Sequence, residues 1–372
     1  MKKLFTFFAG ILISLLLADV AKCQQFSNGE IAVELSDYGR VRIFAPDELT
    51  YQIDRFSILV GNDAGGVFDY WNDAENVELP MNIEPATFGD YEIYVAIDNS
   101  YLNPPMPPNV KVLINVYGWS LGGYVLAKFR IINQEISVLN AKSGYELIPY
   151  IDGSYGFETV EFDDVNQLVK IFNGSSTNVG IKVFSHTFSS VRSFEWYSGY
   201  NNVEDSLYAW LNYGQFDLYT AGSEGSVSVS GFDPVDVLNP EDTATVYVGF
   251  AVGMDETEML TNMSDCEAQY NLIATSVKQT NNLKPDKYSL SQNYPNPFNP
   301  STRIDFSIIK SSHVILKVFN ALGQEVASPV NSNLPEGNYS INFNAANLPS
   351  GIYYYSLTTG SYKATKKMIL VK

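Results

Sequence analysis

Between residues 31 and 252 the chain repeatedly alternates apolar and polar side chains in short runs, broken by glycine, asparagine, aspartate and proline. Alternation with a period of two puts every second side chain on one face of an extended strand. A chain patterned this way buries its apolar face only by stacking sheets or by closing a barrel. Ile31, Val33 and Leu35 alternate with polar neighbours, the stretch from Ser36 to Gly39 supplies a turn, and Val41 and Ile43 resume the pattern, which predicts a hairpin. The runs at 91–97, 110–116, 124–132, 179–184, 226–230 and 243–252 behave alike and are rich in aromatic and β-branched residues, which suit a half-buried pleated surface. No regular β–α alternation interrupts them. The expectation is an all-β fold, a large antiparallel β-sandwich or barrel.

One segment breaks the rule. After Asp255, which can cap a helix together with Glu258, apolar residues fall at Met259, Met263, Cys266, Tyr270, Ile273 and Val277. Steps of three and four trace one face of an amphipathic helix. Its expected job is to pack on the sheets and close the large domain; the alternative is a partner-binding helix. Residues 278–288, polar with one proline, read as a linker, which gives a body over 24–278, a linker over 279–287 and a tail over 288–372.

The N-terminus carries Lys2 and Lys3, an apolar stretch from Leu4 to Leu17, and small residues at Ala18 and Ala21. These are the marks of a secretory signal peptide over residues 1–23, with cleavage expected near Cys23. A lipidated Cys23 is the rival reading, and Lys22 just before it fits that poorly. No other segment approaches the ~18 continuous apolar residues of a membrane helix. Cysteine chemistry is thin, because only Cys266 remains after cleavage and one thiol makes no internal bridge. Residues 24–284 hold 12 Lys and Arg against 36 Asp and Glu, a net charge of −24, whereas residues 285–372 hold 8 against 4, a net of +4. A body so acidic repels phosphate backbones, which excludes nucleic acid as a partner.

The tail has its own grammar. Asn293 precedes Tyr294, and then Pro295, Asn296, Pro297, Phe298, Asn299 and Pro300 place three prolines within six positions. Each proline fixes its own φ and biases its predecessor to extended geometry, so the segment enters the following unit stiff, with Phe298 as a plug. Strands alternate through Ile304, Phe306 and Ile308; Gly323 suits a hairpin turn in the stretch Leu316 to Val326; Gly351 closes a Pro-Ser-Gly turn; Lys366 and Lys367 open the final strand. This order of blocks resembles the C-terminal sorting domain (type A) of the type IX secretion system of Bacteroidetes-like bacteria. The resemblance implies a small immunoglobulin-like β-sandwich that an outer-membrane translocon recognises and a sortase-like peptidase then removes. It implies a product secreted or held at the outer cell surface. The body is similar, diffusely, to the large supersandwich-like domains that precede such tails.

Three chemistries offer themselves in the body. The stretch Gly118-Trp119-Ser120-Leu121-Gly122 matches the G-x-S-x-G nucleophile elbow. That elbow needs a helix after the serine, but the next run alternates like a strand, and His186 follows too closely for such a hydrolase, so a glycine turn is the expectation. Asp152, Asp163 and Asp164, in an acidic stretch with Glu158 and Glu161, form the candidate metal group, with structural Ca²⁺ as the one cofactor weighed against plain solvated loops; Asp63, Asp69 and Asp73 form a looser cluster. Paired carboxylates could also hydrolyse glycosides, and the four tryptophans could stack on sugar rings or simply build the core. The reading is an exported type IX cargo whose body is a non-catalytic surface or binding module for carbohydrate. The alternative is a carbohydrate-active enzyme with two carboxylates in a sandwich cleft.

Overall fold

Two large antiparallel sheets stack face to face. Sheet I runs, neighbour to neighbour, through Cys23–Ser27, Ala32–Ser36, Val41–Phe44, Tyr51–Gly61, Leu139–Pro149, Ser226–Asp233 and Thr187–Glu195, with short strands Val67–Phe68 and Asp236–Leu238 pairing beside Tyr51–Gly61 and Leu139–Pro149. Sheet II runs through Leu218–Thr220, Thr159–Asp163, Leu168–Phe172, Asn178–Val183, Thr243–Gly253, Tyr124–Asn133, Val110–Gly118, Tyr91–Asp98 and Glu75–Asn82. This computed structural model describes residues 23–100, 108–200, 203–274, 278–281, 285, 287–310, 312–334, 337–345, 348–360 and 362–372. Of the expected signal peptide only Cys23 falls among them, opening the first strand opposite Ser36. Strands make up 55% of the described residues and helices 10%, so the all-β expectation holds.

The alternation read from the sequence sets which residues meet between the sheets. Phe56, Ile58 and Val60 point inward from sheet I, and the Phe56 ring sits 5.9 Å from Phe129 and 4.8 Å, edge-on, from Phe250 of sheet II. Each such side chain removed from water contributes about 1.5–3 kcal/mol. Both outer faces are then partly roofed. On sheet I, Leu207 and Leu211 of the helix Glu204–Leu211 pack on Leu59, Ile148, Val227 and Val229.

On sheet II lies the expected closing helix, Glu256–Ala274. Asp255 Oδ1 accepts the Glu258 N–H at 2.8 Å, and Glu258 Oε2 accepts the Met254 N–H at 2.7 Å, so both ends of the cap are satisfied. Met259, Met263, Cys266 and Ile273 are buried against Leu126, Leu168 and Ala251, and Tyr270 stacks on Phe184 at 4.9 Å. Burial pushes the Cys266 thiol well up, so it remains a neutral apolar filler. Val277, expected to end the apolar face, lies outside the described residues.

The tail has a separate core. Sheet III orders Lys278–Asn281, Gly337–Asn344, Ser301–Ile308 and Ser289–Leu290; sheet IV orders Glu325–Leu334, Ser312–Asn320, Gly351–Thr359 and Tyr362–Leu370. Ile304, Phe306, Ile341 and Phe343 from one sheet and Leu316, Val318, Tyr355, Leu357 and Met368 from the other fill the space between them. Part of the expected linker is a strand here, since Lys278–Asn281 pairs with Gly337–Asn344.

The helix Glu256–Ala274 can lie this close to sheet II because Gly253 has no side chain: a Cβ there would stand 2.2 Å from the Met259 backbone nitrogen. Gly253→Ala should therefore displace the helix and cost about 1–3 kcal/mol, as overpacking does. A fall in the urea unfolding midpoint at unchanged slope checks this.

Candidate functional site

The outer face of sheet I carries the most developed polar site on the body. In the strand Tyr51–Gly61 the positions facing away from the core include Arg55, and in Leu139–Pro149 they include Glu146. The register sets Ile148 opposite Arg55 and Glu146 opposite Ser57, so the two charged side chains are diagonal neighbours. Arg55 Nη1 lies 2.7 Å from Glu146 Oε1, and the Tyr200 hydroxyl donates to Glu146 Oε2 at 2.8 Å. Glu146 is only 1% exposed. Burial pushes its carboxyl above the usual range, and Arg55 and Tyr200 pull it back only in part. Burial and the Glu146 charge push the Tyr200 phenol up, which keeps it a donor.

Above this pair the chain makes a tight turn. Asp69 Oδ1 accepts the N–H groups of Trp71 at 2.6 Å and Asn72 at 2.9 Å, and Asp73 Oδ2 accepts the Asp69 N–H at 2.9 Å. Two members of the looser acidic cluster are thus spent on shaping a turn. The third, Asp63, lies apart and accepts from Asn140 Nδ2. The turn lays Tyr70 and Trp71 over the Arg55 guanidinium, at 5.2 and 5.8 Å from the ring centroids. Trp71 is 66% exposed, and with Tyr38, Tyr70, Asn72, Ala74 and Glu75 it lines an open pocket of about 440 Å³.

A row of aromatic rings crosses the same face. Tyr51 meets Tyr150 at 5.7 Å, Tyr150 meets Tyr155 at 4.2 Å, Tyr155 meets Trp196 at 5.2 Å and Trp196 stacks on Tyr197 at 5.6 Å. Arg42 lies over Tyr51 while paired with Glu34 at 2.7 Å and Asp54 at 3.4 Å. The Tyr155 hydroxyl donates to Asp54 Oδ2 at 3.2 Å, and burial followed by the Asp54 charge raises its pKa to about 12. Tyr197 is 79% exposed at the end of the row. Flat rings beside fixed donors and acceptors suit a polyhydroxylated ligand, with ring faces against C–H and edges against hydroxyls.

In the tail, the proline-rich entry segment grips the last strand. Phe298 is 2% exposed, its N–H donates to the Ile369 carbonyl at 3.0 Å, and its own carbonyl accepts the Val371 N–H at 2.9 Å. Asn296 Oδ1 accepts the Ile369 N–H at 2.9 Å, while Gln292 Nε2 donates to the Lys367 carbonyl at 2.7 Å. Asn293 is 1% exposed; its N–H donates to the Tyr355 hydroxyl and its Nδ2 to the Pro295 carbonyl and Thr302 Oγ1. The Pro300 carbonyl accepts the Ala345 N–H, whereas Pro297 and Asn299 are exposed. Gly323, at φ 79°, completes the turn that Asn320 ties together through Leu322 and Gln324. Gly351 opens the strand that pairs with the last one, opposite Leu370. Lys366 and Lys367 lie on that last strand, at the edge of sheet IV, where lysines also discourage a further strand from adding.

Residues 292–372 match the family of secretion system C-terminal sorting domains. The sorting domain thus covers the tail and leaves the body outside the match. No curated protein matches the chain in sequence. Among solved structures, a bacterial glucoamylase complexed with acarbose is 8% identical, with a TM-score of 0.48 over 68% of this chain and 36% of its own. A polysaccharide lyase is 9% identical, with a TM-score of 0.33 over 93% of this chain and 47% of its own. A galactose mutarotase-like protein from Clostridium acetobutylicum is 9% identical, with a TM-score of 0.36 over 62% of this chain and 95% of its own. The chain therefore spans less than half the length of the first two, and likenesses this remote carry nothing about chemistry.

The other expected sites resolve into local structure. Ser120 sits in a turn between two strands of sheet II, where its N–H and hydroxyl both donate to Asp90 Oδ2 at 2.7 Å. His186 instead bonds Ser185 and Asp236, so Ser120 and His186 form no nucleophile–base pair. Asp152 accepts from Gln52 and Thr177; Asp163 accepts the N–H groups of Val165 and Asn166 and the Asn166 side chain; the Asp164 carbonyl accepts from Gln167. Asp152, Asp163 and Asp164 are not brought together as the expected calcium group. Among the described residues no three His, Cys, Asp or Glu side chains stand where they could hold a metal ion.

What the sequence reading missed is Arg55, Glu146 and Tyr200. The only signal was two opposite charges beside apolar neighbours, Arg55 before Phe56 and Glu146 before Leu147, in strands that also carry Asp54 and Lys142. Removing one partner should cost more than removing both. Glu146→Ala leaves a buried guanidinium unpaired and should cost about 3–5 kcal/mol, whereas Arg55→Met with Glu146→Met should be near neutral; chemical denaturation of both variants checks the order. In the sorting domain, Asn296→Ala removes one acceptor from the last strand. It should speed amide hydrogen exchange at Ile369 about fivefold, the equivalent of about 1 kcal/mol.

Proposed function

We propose that this chain is cargo of the type IX secretion system whose body binds carbohydrate, without catalysis, through the aromatic outer face of sheet I. The destination rests on the sorting domain, which implies export to the cell surface or the medium. Among the described residues no helix is long and apolar enough to cross a membrane, a statement that leaves β-barrels aside. Recognition by an outer-membrane translocon and later removal of the tail by a sortase-like peptidase follow from the family and belong to the same proposal.

The observation that carries the binding reading is the set of exposed rings, Trp71 over Arg55 and Tyr197 at the end of the row from Tyr51. Aromatic side chains left in water at a pocket rim, next to fixed charged groups, are what a sugar-binding face needs, and burial in the core does not explain them. Two carboxylates beside Trp71 are committed elsewhere, which leaves Glu75 at the pocket rim. Glu146 is closed inside its contacts with Arg55 and Tyr200, and Asp69 is consumed by its turn. A glycosidase would need one carboxyl free to give a proton and another free to attack or activate water.

A glycan panel probed with the mature chain tests this. A neutral oligosaccharide should bind and leave the medium unchanged, and Trp71→Ala or Tyr197→Ala should weaken binding about 10–100-fold, the loss expected when an aromatic anchor is truncated. Binding unaffected by either substitution would remove sheet I as the site. Release of reducing ends would replace the binding module with an enzyme.

A further inference from the structure

The body is strongly acidic, and among its described residues most cations are neutralised: Arg42, Arg55, Lys111, Lys142, Lys170, Lys182 and Arg192 each stand within ion-pair distance of a carboxylate, while Arg40 lies over the Tyr70 ring without one. Lys128 and Arg130 are the two unpaired cations that stand side by side. They lie two residues apart on the strand Tyr124–Asn133, so both project from the outer face of sheet II, away from Phe129 in the core. The register places Lys128 between Asn115 and Tyr247, and Arg130 between Leu113 and Thr245. Lys128 Nζ lies 5.6 Å from the centre of the Tyr247 ring, and among the described residues neither cation has an ion-pair partner. Of their nitrogens only Arg130 Nε is sealed from solvent, and it has no hydrogen-bond partner.

The acids nearby are already engaged. Glu92 is buried, with one oxygen accepting from Asn115 Nδ2 at 2.7 Å and the other from the Thr87 N–H at 2.6 Å. Glu78 lies 3.6 Å from Lys111. Tyr94, Tyr117 and Tyr247 face the same patch, and burial holds all three phenols above their usual range, so they stay neutral. Two half-buried like charges in one patch are unfavourable without a counter-charge. Their effect is visible on Lys128, whose amine is pushed down to about 8 by burial and then by Arg130.

We propose that Lys128 and Arg130 form a second binding site, on the outer face of sheet II, for a small oxyanion such as the carboxylate of an acidic sugar, clasped between ammonium and guanidinium with Tyr94 and Tyr247 as walls. The guanidinium fork matches the planar oxygens of a carboxylate, and the ammonium adds a point charge. The ligand is small because the surrounding negative field repels a polyanion. The site is separate from the aromatic face of sheet I, so either can fail without the other.

Isothermal titration of the mature chain with glucuronate, inorganic phosphate and glucose at low ionic strength tests the proposal. Glucuronate or phosphate should bind saturably with a Kd on the order of 1 mM, glucose should not compete, and added salt should weaken the binding. The tighter of the two anions identifies the source, acidic sugar or free phosphate. Arg130→Ala and Lys128→Met should each weaken binding at least about tenfold. Lys128→Met fills the same space without the charge, so its urea midpoint should equal or exceed that of the parent, which separates lost binding from lost folding. No saturable binding by either anion, or equal binding by both variants, overturns the site.

Discussion

Stacking of sheet I on sheet II through Phe56, Phe129 and Phe250 is the contact on which the rest of the body depends. Side chains alternate strictly along a strand, so packing one face of each sheet commits the other face to the outside. Each outer face is then dealt with in two ways. Part of it is covered by a helix, Glu204–Leu211 on sheet I and Glu256–Ala274 on sheet II, and the remainder carries charge and aromatic rings. Both candidate sites occupy the uncovered remainders, so the core and the sites are two halves of the same alternating pattern.

The sequence made the core and the closing helix legible because both rest on periodicity. Ile31, Val33 and Leu35 sit in the body core as the alternation requires, and Met259, Met263 and Cys266 sit under the helix as steps of three and four require. The sorting domain was legible because its blocks are local and ordered. The face formed by Arg55, Glu146 and Tyr200 was not. Arg55 and Glu146 are 91 positions apart and meet only through the pairing of two strands that are not consecutive in the chain. The acidic stretch around Asp163 misled for the opposite reason. Charge density along a chain says nothing about convergence in space, and Asp163 is satisfied by the N–H groups of Val165 and Asn166 just beyond it.

Glu146 and Arg55 also show how a polar group survives inside a β-sandwich. The ion pair is closed by a third donor, Tyr200, and lidded by Tyr70 and Trp71, so every strong demand of the carboxylate is met locally. The same arrangement holds the Trp71 ring in place with its outer surface free. A buried charge pair thereby becomes the foundation of an exposed aromatic platform.

The sorting domain is stitched from its two ends, since Asn296 and Phe298 hold the strand that ends at Leu370, and Ser350 accepts the backbone N–H of Lys372. Its fold therefore cannot close until the strand Tyr362–Leu370 has docked beside Gly351–Thr359. A tail cut before Tyr362 would leave Asn296 and Phe298 without the backbone groups they grip, so the entry segment and the final strand stand or fall together.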